Sequence, residues 1–99
     1  MIKRIIREIL KEGKKFETEY FNLYLKKREN LKIGFIANSK IGNPVRRNKA
    51  KRIIRELVRK NFKKGDFVFI LKKDIIDKSK LEIEKIFERI KNEIHNIAN

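Results

Sequence analysis

The chain has no cysteine, one proline, four glycines and one histidine in 99 residues. Without thiols there is neither a disulfide framework nor a thiolate metal site, a composition that suits a reducing compartment such as the cytoplasm. A nucleophilic triad is excluded for lack of parts, because the single histidine, His95, falls near the end of the chain and reads as a surface residue. No G-x-x-x-x-G-K-[ST] or G-x-G-x-x-G stretch occurs, so neither glycine-rich phosphate cradle is encoded. Asp66, Asp74 and Asp77 fit the spacing of no common metal loop and read as turn and strand-end residues. No catalytic residue and no metal ligand is therefore assigned to the chain. Long apolar runs are missing too: nothing approaches the ~18–20 residues that cross a bilayer. The opening "MIKRIIREILKEG" is interrupted by charge every two or three positions, which a signal-peptide core does not tolerate. A membrane is not an expected partner.

Acids are the remaining scarcity. Thirteen Asp and Glu stand against 28 Lys and Arg, a formal net charge of +15. Such an excess opposes compaction through self-repulsion and points to a polyanionic partner. The hydrophobic fraction is 40%, enough for one packed interior. A chain of this length forms a single domain, residues 1–99, that buries about two-thirds of its unfolded surface.

Ile2, Ile5, Ile6, Ile9 and Leu10 recur at helical spacing, and Gly13 is placed to end that helix as a left-handed C′ residue. The period then changes. Phe21, Leu23 and Leu25 alternate with Tyr20, Asn22, Tyr24 and Lys26, the pattern of a half-buried strand. After the polar turn "KKREN", "LKIGFIANS" reads as a second strand with Ile33, Phe35 and Ala37 on one face, expected to pair with the first as an antiparallel hairpin. "FVFILKK" is apolar on both faces and belongs in the middle of a sheet. Ser79-Lys80-Leu81-Glu82 matches a capping box, followed by a helix carrying Ile83, Ile86, Phe87, Ile90, Ile94 and Ile97. The order is α-β-β-(β)-α-β-α, with one short strand left unplaced. It specifies an α+β domain in which a small, mostly antiparallel sheet packs with three helices.

Lys40 to Lys60, "KIGNPVRRNKAKRIIRELVRK", carries the functional signal. Asn43 is a good N-cap and Pro44 suits the first helical position, where its missing N–H costs nothing. Ala50, Ile53, Ile54, Leu57 and Val58 form the buried stripe. Asn48, Arg52, Arg55 and Arg59 project on the opposite side within roughly 60° of arc, while Arg47 and Lys51 flank the stripe on one side and Lys49 on the other. A row of like charges destabilises its own helix. Arginine where lysine would serve solubility equally well favours bidentate grip on phosphate. A helix-turn-helix DNA reader would need a second helix packed directly on this one, whereas strands flank it on both sides. A nucleic acid is the expected partner, and DNA read by a helix-turn-helix is not.

"KIGNPVRRNKAKRIIRE" resembles the signature helix of the bacterial ribonuclease P protein component, whose pattern is K-x-G-N-A-V-x-R-N-x-x-K-R-x-x-R-E. The match runs through Lys40, Gly42, Asn43, Val45, Arg47, Asn48, Lys51, Arg52, Arg55 and Glu56. The resemblance implies a fold like the second domain of a small-subunit ribosomal protein, with a left-handed β-α-β crossover. It further implies a subunit that joins a catalytic RNA and helps it remove the 5′ leader of precursor tRNA, with Mg²⁺ held mainly by the RNA and no activity in the protein alone. Carried over to this chain, Arg47, Asn48, Lys51, Arg52 and Arg55 are the expected RNA contacts, Lys49 stands where the motif often has a second Arg, and Arg46 and Arg59 of the basic helix are expected to join them. Tyr24, with Tyr20 and Asn22 on its face, is the expected leader platform. The family's two Phe residues on the first helix are replaced here by Ile6 and Leu10. A ribosomal or other structural RNA-binding protein of the same fold is the alternative.

Overall fold

The computed structural model describes residues 1–98. Helix α1 (Lys3–Glu12) is followed by strands β1 (Lys14–Glu17), β2 (Phe21–Lys26) and β3 (Leu31–Ile36), helix α2 (Pro44–Asn61), strand β4 (Gly65–Leu71), a 3₁₀ turn (Lys73–Ile75) and helix α3 (Lys80–Ala98). β1 is the short strand that periodicity leaves unplaced: four residues with one buried side chain, Phe16, carry too little pattern to read.

The strands lie in the order β1-β2-β4-β3. β1 pairs antiparallel with β2 and β2 with β4, while β3 runs parallel to β4. The expected β2–β3 hairpin does not form, because β4 is inserted between the two. β4 is buried at every position but Ile70. A strand apolar on both faces gains most when flanked on both edges, so it displaces the local pairing. A parallel pair also needs a crossover, which α2 supplies as the β3-α2-β4 unit. β3 ends at Ile36, leaving Ala37 and Asn38 to the following loop.

Alternation sorts the sheet into two faces. Phe21, Leu23 and Leu25 of β2 pair in register with Leu71, Phe69 and Phe67 of β4, all facing one side. There they join one cluster with Ala50, Ile53, Ile54, Leu57 and Val58 of α2 and Ile83, Ile86, Phe87, Ile94 and Ala98 of α3. Rings meet within it, Phe21 to Phe69 edge-on at 5.2 Å and to Phe87 at 5.4 Å. His95 borders this cluster: it is half-buried, its ring 4.7 Å from that of Phe62, and so is less exposed than expected. The last turn of α3 stays packed, which is why the expectation of an exposed imidazole fails.

The other face carries Asn22, Tyr24 and Lys26 of β2, Asp66, Val68 and Ile70 of β4, and Lys32, Gly34 and Ile36 of β3. Helix α1 crosses part of it, with Ile9 wholly buried and Met1 against Gly34. Gly13 ends α1 in an extended conformation, φ −74° and ψ 158°, not a left-handed one. Glycine is needed there for room. A Cβ would stand 2.6 Å from the Ile9 carbonyl oxygen and 3.1 Å from that of Leu25, where the chain doubles back beneath the helix.

Candidate nucleic-acid interface

α2 begins as its sequence requires. The Arg46 N–H donates to Asn43 Oδ1 at 2.9 Å, and Pro44 opens the helix. The stripe from Ala50 to Val58 is buried, which turns Asn48, Lys49, Arg52 and Arg59 to solvent and leaves Arg47, Lys51 and Arg55 half-buried, while Arg46 is exposed in the first turn, ahead of the stripe. The one acid of the helix, Glu56, reaches away to Lys80 at 3.5 Å. Arg46 lies 3.5 Å from Asp77. Among the described residues no carboxylate stands within ion-pair distance of Lys49, Lys51, Arg52 or Arg59. These four cations stand on the helix surface with no described carboxylate to neutralise them, an arrangement that favours a polyanion.

Two of the expected contacts behave differently from the rest. Arg47 turns inward: its Nη1 donates to the carbonyl oxygens of Ser39, Ile41 and Gly42 at 3.0, 3.2 and 3.1 Å. It thereby ties down the β3–α2 loop, which Asn38 also folds by accepting from Lys40 N–H at 2.9 Å. Gly42 completes that turn at φ +57°, a conformation that side-chain-bearing residues adopt only with strain, and it faces Ile76. The motif positions Gly42, Asn43 and Arg47 thus build the entrance to the helix. Arg55 is the second case, its guanidinium carbon 5.0 Å from the centroid of Phe35 on β3. Phe35 has no sequence signal linking it to α2, since the two residues meet only through the fold.

The second expected surface lies on the sheet face that α1 leaves open. Tyr24 and Asn22 are half-buried neighbours on β2, and Lys15 of β1 stands 6.0 Å from the Tyr24 ring centroid. Among the described residues the buried Asn22 Oδ1 has no hydrogen-bond partner. Tyr20 is elsewhere. It precedes β2, packs against the α2–α3 core and has Lys78 Nζ 5.6 Å over its ring. Four residues of extended chain separate it from Tyr24 by about 13 Å. Ile6 and Leu10 line a cleft of about 420 Å³ between α1 and β3 together with Lys3, Arg7, Phe35, Ile36 and Ala37.

One ionic cluster was not legible in the sequence. Asp66, buried at the start of β4, meets Arg28 Nε at 3.2 Å, and Arg28 also donates to Glu8 at 3.1 Å. Glu8 accepts from Lys26 Nζ at 2.7 Å, which with the Lys26 charge holds its carboxyl below the usual carboxylate range. The same hydrogen bond raises the Lys26 ammonium. An Asp as the first polar residue of an apolar strand is the only hint the sequence offers. Among the described residues no three His, Cys, Asp or Glu side chains gather as a metal site. No described helix is long and apolar enough to cross a membrane.

The ribonuclease P family model matches residues 1–95. The chain belongs to the ribonuclease P protein family. It is 35% identical over 96 residues to the ribonuclease P protein component of a Nitratiruptor species, covering 90% of this chain and 88% of that one. The Staphylococcus aureus ribonuclease P protein structure superposes with a TM-score of 0.82 at 25% identity, covering 100% of this chain and 95% of that one. The Thermotoga maritima ribonuclease P protein gives 0.65 at 31% identity over 97% and 90%. These matches set aside the ribosomal-protein alternative. As a member of the ribonuclease P protein family the chain is the protein component of a ribonucleoprotein enzyme of tRNA 5′ maturation, and its partner is the ribonuclease P RNA.

Proposed function

We propose that the two faces divide the work of the ribonuclease P protein. The solvent side of α2 docks on phosphates of the catalytic RNA through Arg46, Asn48, Lys49, Lys51, Arg52, Arg55 and Arg59. The open sheet face receives the single-stranded leader of precursor tRNA, with Tyr24 as stacking platform and Asn22 beside it. Arg47 belongs to the helix entrance, and Tyr20 stands apart from the leader surface. The observation that carries this reading is the row of unpaired cations fixed on α2. Repulsion along that row disappears once phosphates lie over it, and each neutralised phosphate releases counterions.

The residues present do not suit Mg²⁺. Asp66, Glu8 and Glu56 each face a cation of the protein itself, and among the described residues no three acidic or histidine side chains gather to ligate it. The ion belongs with the RNA, and the protein adds fixed positive charge that otherwise must come from dissolved ions. The cytoplasm, where precursor tRNA and the catalytic RNA meet, is the proposed compartment.

Precursor-tRNA cleavage at low Mg²⁺, with catalytic RNA and with or without this protein, tests the reading. The protein alone should cleave nothing, and its addition should rescue the RNA. Cleavage by repurified, RNA-free protein would overturn it. Tyr24→Ala should lower affinity for precursor tRNA and spare mature tRNA; equal losses on both would remove Tyr24 from the leader surface.

A further inference from the structure

Arg55 differs from Lys49, Lys51, Arg52 and Arg59 in resting on an aromatic ring, that of Phe35. Phe35, beneath it, is half-buried and stacked on Phe69, with centroids 5.7 Å apart and planes 24° apart. Phe69 continues to Phe67 at 6.3 Å and 15°. Phe35 and Phe69 are register partners across β3 and β4, so sheet hydrogen bonds fix the ladder. Its last ring supports the guanidinium. A guanidinium lying over a ring has one face covered, while its N–H groups radiate in its own plane and stay free to meet an anion. A fork held this way loses less conformational freedom on binding than a free side chain does. No described ring or carboxylate supports Arg52 or Arg59 in this manner.

We propose that Phe35 is a positioning residue for RNA recognition. It holds Arg55 in the orientation that a bidentate contact with an RNA phosphate requires, so that Arg55 is the geometry-dependent contact of a face on which Lys49, Lys51, Arg52 and Arg59 act through charge alone. The inference rests on the reading of α2 as the RNA-docking face.

Binding to the catalytic RNA, measured over a salt series and alongside a melting curve, tests it with Phe35→Leu, Phe35→Tyr, Arg55→Ala, Arg55→Lys, Arg52→Ala and the Phe35→Leu/Arg55→Ala pair. Phe35→Leu should weaken binding roughly threefold to tenfold, the range of a lost cation–π support. The salt slope should stay unchanged, because no charge is removed. Phe35→Tyr should bind as wild type. Arg55→Lys, which keeps the charge without the fork, should fall with Phe35→Leu. In the Arg55→Ala background Phe35→Leu should cost nothing further. An equal loss with and without Arg55, or full affinity in either Phe35→Leu or Arg55→Lys, would overturn the positioning role. If Arg52→Ala and Arg55→Ala also bind as wild type, the α2 reading falls with it; if those two weaken binding, the positioning role falls alone.

Discussion

α2 and α3 pack into the same core on the same side of the sheet, and their outer faces have almost nothing in common. α2 buries Ile54, Leu57 and Val58 completely, α3 Ile83 and Ile94. Both start with a side-chain cap, Asn43 for α2 and Ser79 for α3, whose hydroxyl accepts from Glu82 N–H at 3.2 Å. Outside, α2 carries eight bases and one acid, whereas α3 carries four of each. The net charge of α3 is zero, so the whole excess of the chain lies in the residues before it. The charges of α3 reach other elements: Arg89 pairs with Glu19 before β2, and Lys80 with Glu56. On α2, Lys49, Lys51, Arg52 and Arg59 meet no carboxylate among the described residues. A stripe of five apolar side chains suffices to seat either helix, and the free surface of α2 is then available to a partner.

The largest test of that contrast concerns the part the helices share. Ile54→Ala and Ile83→Ala should each destabilise the domain by about 2–5 kcal/mol in denaturant titration, as core truncations. If one is tolerated, the two helices are not equivalent inside. Next come their surfaces. Arg52→Ala should leave thermal stability at the wild-type level or slightly above it, since it relieves repulsion. The same change should weaken binding to the catalytic RNA by roughly 1–3 kcal/mol. Arg89→Ala should do the opposite, lowering the melting temperature a little and leaving RNA affinity alone. A matching RNA defect in both would spread the docking surface onto α3.

Asn43→Ala should cost about 1 kcal/mol of stability through the lost cap. Its effect on RNA binding should follow from disorder at the helix entrance, visible as faster amide exchange at Arg46. The smallest effect is in pH. Arg89 holds the Glu19 carboxyl below its ordinary value of 4.5, chiefly by a side-chain hydrogen bond, and Lys26 does the same for Glu8. A depressed carboxyl stabilises the fold above its unfolded value, and that stability is lost as pH falls through the folded one. Melting temperatures of wild type and Arg89→Ala should therefore differ at neutral pH and converge below 4.5. A gap that persists in acid would assign the Arg89 effect to packing.

The elements were largely legible because each is set by local periodicity. The stripe of α2, the cap at Asn43, the alternation of β2 and the central strand β4 all lie where the sequence puts them. Pairing was not legible. Phe21–Lys26 and Leu31–Ile36 are near in sequence and look like a hairpin, yet β4 takes both as neighbours because its two apolar faces need cover that only a third layer can give. The candidate site divides in the same way. Which face of α2 is basic follows from 3.6 residues per turn. That Arg47 turns back to three loop carbonyls, while Arg55 rests on a ring twenty residues earlier, does not.

Sequence alone determined the charge, the helix that displays it and the family pattern from Lys40 to Glu56, since these depend on residue type and spacing along one element. Tertiary structure alone decided which arginines the fold itself engages, Arg47 on loop carbonyls and Arg55 on Phe35. A guanidinium takes whichever partner the fold brings within reach, and carbonyls of a preceding loop or a phenylalanine on a neighbouring strand are brought there by long-range packing.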